Sequence, residues 1–310
     1  MRDESILLGQ VEGFISVLAQ CQALGITVAS ARENELILEL PYTEKIIGNP
    51  DTGVIHGGAI TTLMDTAAGA GVLCALPEFE LCPTLDLRVD YMRSARPDQP
   101  VYARASCYRV TKNIVFMRCE AYQVDRTVAH CVATFMRMGA KGIPSLEHMT
   151  KGTQIPEFTF NENTRSQVSL KDLRASALAT KDFEPLISAI PYASYIGVEL
   201  DGEPAAGFYK LNRQPSNIGN PILPAIHGGV LGGFMEMASM LHLLATQPGG
   251  VIPRIIDFSI DYLRAGLDRD TFVHCEVTCQ GGRVANVEVH AWQQRREKPI
   301  ALARAHFLLE

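Results

Sequence analysis

IGNPDTGVIHGGAITTLMDTAAGAGVLCAL, Ile47 to Leu76, returns later in the chain as IGNPILPAIHGGVLGGFMEMASMLHLLATQ, Ile218 to Gln247. His56 and His227 are 227 − 56 = 171 positions apart, and at that offset the two copies align without a gap as far as Arg93 and Arg264. Of the 47 aligned positions 16 are identical, and so long a period means duplication of a whole domain rather than a short solenoid unit.

Between His56 and Pro77 every face of the sequence is apolar or small. That is the pattern of a helix buried all round, and hence of a domain core. Pro77 and its counterpart Pro248 fall where such a helix would stop. Each helix carries one carboxylate, Asp65 in the first copy and Glu236 in the second. A lone buried charge costs on the order of several kcal/mol unless it is partnered or put to use. Two reasons remain open: an ion pair with an arginine from a neighbouring strand, or a general base or nucleophile held in a dry cleft. Capping its own helix does not explain Asp65, which lies two turns beyond the first amides.

The His-Gly-Gly before each helix supplies the other half of a site. Gly57 and Gly58, like Gly228 and Gly229, let a ligand approach the backbone, and free N–H groups at the positive end of the helix dipole suit a carbonyl oxygen becoming an oxyanion. The alternative is a tight strand-to-helix turn whose imidazole bonds to backbone. Gly57 and Asp65 are eight residues apart, roughly 12 Å along a helix, too far for one carbonyl to touch both. One copy therefore cannot form a site. If the two helices pack antiparallel about a pseudo-twofold, Asp65 comes near Gly228 and Glu236 near Gly57, and the chain becomes a covalent version of an isologous dimer with two clefts at its seam.

The run N-P-x4-I-H-G-G-x6-[DE], followed by TLDLRVDYMRSA or IIDFSIDYLRAG, resembles the hotdog-fold acyl-CoA thioesterases, in particular the phenylacetate-pathway (PaaI-like) group. The resemblance covers both halves. It implies an α+β fold with two tandem hotdog domains, each an antiparallel sheet wrapped round a long helix. It further implies that Gly57 and Gly228 polarise a thioester carbonyl while Glu236 and Asp65, each from the other half, drive hydrolysis. The family's water-orienting hydroxyl falls on Thr84 in the first copy and on Ile255 in the second. The family often has Asn or Gln six residues before the histidine. Here Pro50 and Pro221 stand there, with Asn49 and Asn220 one step earlier as the candidates to touch substrate.

The remaining chain is consistent with this layout. At 310 residues and 47% hydrophobic content it can fill two domain cores. The net charge of −6 argues against nucleic acid or an anionic membrane as main partner. No apolar run reads as a membrane span, and the charged MRDESILLGQVEG start does not read as a signal peptide. The eight cysteines form no CxxC pair, so free thiols in a reducing, cytoplasmic setting are expected. Residues 5–24 read as a helix and 35–41 as a strand. Strand-like runs follow at 84–95, 100–110, 113–123 and 128–138. The domains are expected at 1–139 and 181–310, with a polar, Gly/Pro-punctuated linker over 140–180.

The Asp65, Gly228, Thr84 cleft is the better equipped of the two on these residues; the Gly57, Glu236 cleft lacks the hydroxyl. His56 and His227 are read as shaping the turn or donating a hydrogen bond, with a role as base the alternative. Neither belongs to an HExxH or comparable cluster, so no metal or other cofactor is expected. The expected partner is an acyl-CoA, its phosphates met by basic residues drawn from Arg88, Arg93, Arg96, Lys112, Arg264 and Arg283. Further homodimerisation of the pseudo-dimer is left open by the sequence. Two other functions stay open. One is a hydratase or dehydratase of the same fold, which would place its histidine three residues after an asparagine, whereas His56 is seven after Asn49. The other is a non-catalytic acyl-ligand module.

Overall fold

The computed structural model describes residues 2–139, 168–220, 223–247 and 250–309. Its core is a pair of 19-residue helices, Gly57–Ala75 and Gly228–Thr246. Each starts where its histidine caps the first turn: His56 Nδ1 accepts the Gly58 N–H at 2.9 Å, and His227 Nδ1 accepts that of Gly229 at 3.0 Å. Gly58 meets Gly233 and Gly229 meets Thr62, so position numbers rise on one helix as they fall on the other. The helices are therefore antiparallel. A Cβ on Gly58 or Gly229 would run into the facing backbone, which is why these positions must be glycine.

Among the described residues, an antiparallel sheet of twelve strands wraps the pair. Its order is Thr27–Arg32, Glu35–Leu40, Val101–Val110, Ile114–Gln123, Arg126–Met136 and Thr84–Tyr91, then Arg254–Tyr262, Ala301–Leu308, Val284–Trp292, Thr271–Gln280, Phe208–Leu211 and Val198–Leu200. The halves join where Thr84–Tyr91 pairs with Arg254–Tyr262, in a register that sets Asp86 opposite Asp261, Arg88 opposite Ser259 and Asp90 opposite Asp257. Arg88 and Ser259 are themselves counterparts, since 259 − 88 = 171, so the pseudo-twofold passes between them. Period-two alternation turns Leu87 and Val89 into the core while Arg88 and Asp90 face outward. The α+β double hotdog expected from the sequence is the fold observed.

Four differences from the sequence reading have physical causes. The opening helix is two, Glu4–Ser16 and Ala19–Leu24, which turn separate apolar faces inward. A strand that the reading did not name, Thr27–Arg32, pairs with Glu35–Leu40 at the sheet edge. The two central helices are long and apolar enough to cross a membrane by length and composition, but both are almost entirely buried inside the protein. Finally, Leu170–Thr180, inside the stretch read as linker, is a helix capped by Ser169 and seated through Leu170, Arg174 and Ala177; residues 140–167 lie outside the described residues.

Arg174 explains that helix. Its guanidinium donates to Leu244 O at 2.9 Å and Gln247 O at 2.7 Å, satisfying carbonyls at the end of the second central helix. Arg2 does the same for the first, reaching Leu73 O, Leu76 O and Cys74 O. Arg174→Met keeps the apolar stem but leaves those carbonyls unmet, and should lower the unfolding free energy in urea by about 2 kcal/mol. A change of only a few tenths would contradict this role.

Candidate active site

The antiparallel crossing brings each acid to the turn of the opposite half. Asp65 is buried, and its Oδ2 accepts the Gly229 N–H at 2.8 Å and lies 3.4 Å from His227 Nδ1. Its Oδ1 accepts the Thr84 hydroxyl at 3.0 Å. Glu236, also buried, lies so close to Gly57 that a Cβ there would overlap its Oε1. Its Oε2 accepts the Tyr91 hydroxyl at 2.8 Å, and His56 Nδ1 lies 3.9 Å from its Oε1. Among the described residues, no arginine or lysine forms an ion pair with either acid. The ion-pair reading fails here, whereas buried Glu80 does pair with Arg137.

Both histidines are neutral turn-formers. Burial drives His56 down to about 3, and it also lowers His227, outweighing the opposing pull of Asp65. Each Nδ1 accepts a backbone N–H, so the ring proton sits on Nε2. In His227 that Nε2–H meets Thr66 Oγ1 at 3.1 Å, and the His56 ring stacks on Tyr192 with centroids 4.7 Å apart. The contacts of His227 with Asp65 and of His56 with Glu236 are therefore not ion pairs.

Desolvation raises Glu236 to about 8, only partly offset by the Tyr91 hydrogen bond. A carboxyl in this state holds its proton at neutral pH and becomes a base in mildly alkaline solution. Burial also raises the Tyr91 and Tyr262 phenols well above their usual value, keeping both as donors. Among the described residues the Gly57 and Gly228 N–H groups have no acceptor, as an oxyanion site requires.

A cavity of about 470 Å³ opens onto Gly57 and Glu236. Ile55, Ile60, Met240, Ile252, Ile255 and Phe307 form its apolar wall, and Arg93 and Arg254 also line it. Of the basic residues named from the sequence, Arg93 is at this cavity, while Arg88 is bound to Asp90 on the outer face; Arg254 was missed. Asn49 lines the cavity too, but its Oδ1 holds the Asp51 N–H at 3.0 Å. Asn220 ends the short strand Ile218–Asn220, and its side chain lies outside the described residues. Gly58 and Gly229, expected to touch substrate, also sit at the helix crossing, against Gly233 and Thr62. Tyr91 and Tyr262 were also missed, although their identity at the 171-residue offset was a visible signal.

Comparison with known proteins agrees with this architecture. The Thioesterase superfamily matches residues 52–130 and 223–300, one match in each half. A curated relative from Halobacterium salinarum, whose name proposes an esterase, is 42% identical over 94 residues, 29% of this chain; the chain spans only 61% of that relative's length. The medium/long-chain acyl-CoA thioesterase YigI of Escherichia coli is 27% identical over 141 residues, covering 40% of this chain and 89% of that protein. A solved structure from Alicyclobacillus acidocaldarius, described as a conserved protein of unknown function with a hot dog fold, superposes with a TM-score of 0.59 at 13% identity. It covers 94% of this chain and 98% of its own. With the superfamily matched in both copies, over half the chain in total, this protein belongs to the thioesterase superfamily.

Proposed function

We propose that the chain hydrolyses acyl-CoA thioesters to free acid and CoA at the clefts between its halves, as a member of the phenylacetate-pathway type of hotdog thioesterase. The observation that carries this reading is the placement of each buried acid against the His-Gly-Gly turn of the other half: Asp65 at Gly228 and Gly229, Glu236 at Gly57. The acyl-CoA activity named for the Escherichia coli relative supports it.

In each cleft the thioester carbonyl oxygen takes the free glycine N–H, Gly228 in one and Gly57 in the other. The facing carboxylate removes a proton from water as the water oxygen bonds to the carbonyl carbon, or attacks that carbon itself to give an anhydride that water then opens. Collapse of the tetrahedral oxyanion breaks the C–S bond, and the CoA thiolate leaves with a proton. Thr84 orients the water or the carboxylate beside Asp65. Arg93 and Arg254 put positive charge at the Gly57 cleft for CoA phosphates.

The test is thiol release from a panel of acyl-CoAs by wild type, Asp65→Asn and Glu236→Gln. Release from at least one acyl-CoA is expected, with each substitution removing part of it. Release undiminished by either change would discard the assigned acids; ligand binding with no release from any thioester would favour a non-catalytic module.

A further inference from the structure

We propose that Tyr91 is the positioning residue of the Gly57/Glu236 cleft, its hydroxyl, backed by Thr61, doing for Glu236 what the Thr84 hydroxyl does for Asp65. The inference rests on reading that cleft as a site of thioester hydrolysis, and deepens it.

Three coordinated differences between the copies carry it. Where Asp65 stands in one half, Glu236 stands in the other, one methylene longer. Where Thr84 donates to Asp65, its counterpart Ile255 has no hydroxyl to donate. The tyrosine that both copies share then splits its role. Tyr262 donates to Gly228 O at 2.7 Å and leaves Asp65 to Thr84. Tyr91 instead donates to Glu236 Oε2 at 2.8 Å, and its oxygen meets Thr61 Oγ1 at 2.7 Å. Thr61 has glycine, Gly232, as its counterpart, so this second hydroxyl exists only on the Tyr91 side. Loss of one donor, gain of another and a longer acid together rebuild a hydroxyl-held carboxyl from different residues.

Glu236 is also faced by neutral His56 from the helix start, by Tyr192 from the short helix Pro191–Ile196, and by Arg93 and Arg254 across the cavity. None of these donates a hydrogen bond to the carboxyl among the described residues. Removing the Tyr91 hydroxyl therefore leaves the ionised form of Glu236 without a direct donor, and ionisation becomes harder.

The experiment uses Tyr91→Phe in an Asp65→Asn background, so that the Gly57/Glu236 cleft is read alone. Against an acyl-CoA, kcat should fall by about tenfold or more with KM little changed, and the limb on which activity rises with pH should move up by about one unit. Thr61→Val should act in the same direction and less. An activity-free readout accompanies it: the infrared band of a protonated carboxyl, assigned by its loss in Glu236→Gln, followed against pH. Tyr91→Phe should shift that band in frequency and carry its disappearance to higher pH. If both the band and the pH profile stay in place, Tyr91 does not hold Glu236. If wild type releases no thiol from any acyl-CoA, the hydrolysis reading fails while the infrared titration still decides whether Tyr91 positions the carboxyl.

Discussion

The double variant Asp65→Asn/Glu236→Gln will release thiol from acyl-CoA about a thousandfold or more slowly than wild type, while its circular dichroism stays unchanged. The size follows from what a positioned base or nucleophile contributes, about 10²–10⁴-fold, lost in both clefts at once. The fold should survive because both substitutions are isosteric and remove a buried ionisable group that has no arginine or lysine partner. Each single variant should keep the share of the untouched cleft. Asp65→Asn should therefore retain most of its activity in alkaline solution, where Glu236 has lost its proton, and little at pH 6. A double variant with near wild-type turnover would exclude these acids from the chemistry.

The second large effect is on stability. Burial lifts Glu236 from an ordinary 4.5 to about 8 in the folded protein. Between those values the folded state holds a proton that the unfolded chain has released. Glu236 therefore stabilises fully below pH 4.5, relative to alkaline solution, and that contribution is lost as the pH rises through about 8. The difference is roughly 5 kcal/mol between pH 4.5 and pH 9. Glu236→Gln carries no such proton, so its urea midpoint should exceed that of wild type at pH 9 and converge on it towards pH 5. Parallel wild-type and variant curves over this range would show that Glu236 titrates as an ordinary carboxyl.

Much of this was legible because the chain states its design twice. The central helices, the two acids and the glycine turns recur at one offset, and helix length alone ruled out a site within one copy. Thr84 and Asp65, grouped in one cleft from the sequence, are joined by a hydrogen bond. What escaped the sequence depends on packing. Tyr91 and Tyr262 are identical residues at equivalent positions, yet one meets a carboxyl and the other a carbonyl, because their surroundings differ at Glu236 against Asp65, Ile255 against Thr84 and Thr61 against Gly232. Arg2 and Arg174 lie far along the chain from the helix ends they cap, so no local pattern announces them. Gly58 and Gly229 have a use that no local pattern announces: the same lack of a side chain that suits a ligand lets two helices touch.

The central claim is that each cleft takes its acid from one half and its glycine turn from the other, and a paired-variant measurement of thiol release at pH 9 tests it most directly. A methyl group on Gly57 overlaps Glu236, and one on Gly228 lies 2.8 Å from Asp65 Oδ2, so either Gly→Ala change disables the cleft it belongs to. Asp65→Asn/Gly228→Ala should retain the rate of Asp65→Asn alone, because both changes fall in one cleft, whereas Asp65→Asn/Gly57→Ala should fall to the uncatalysed rate. The reverse pattern, with activity kept by the Gly57 combination and lost by the Gly228 combination, would mean that each half works with its own acid and would contradict the account.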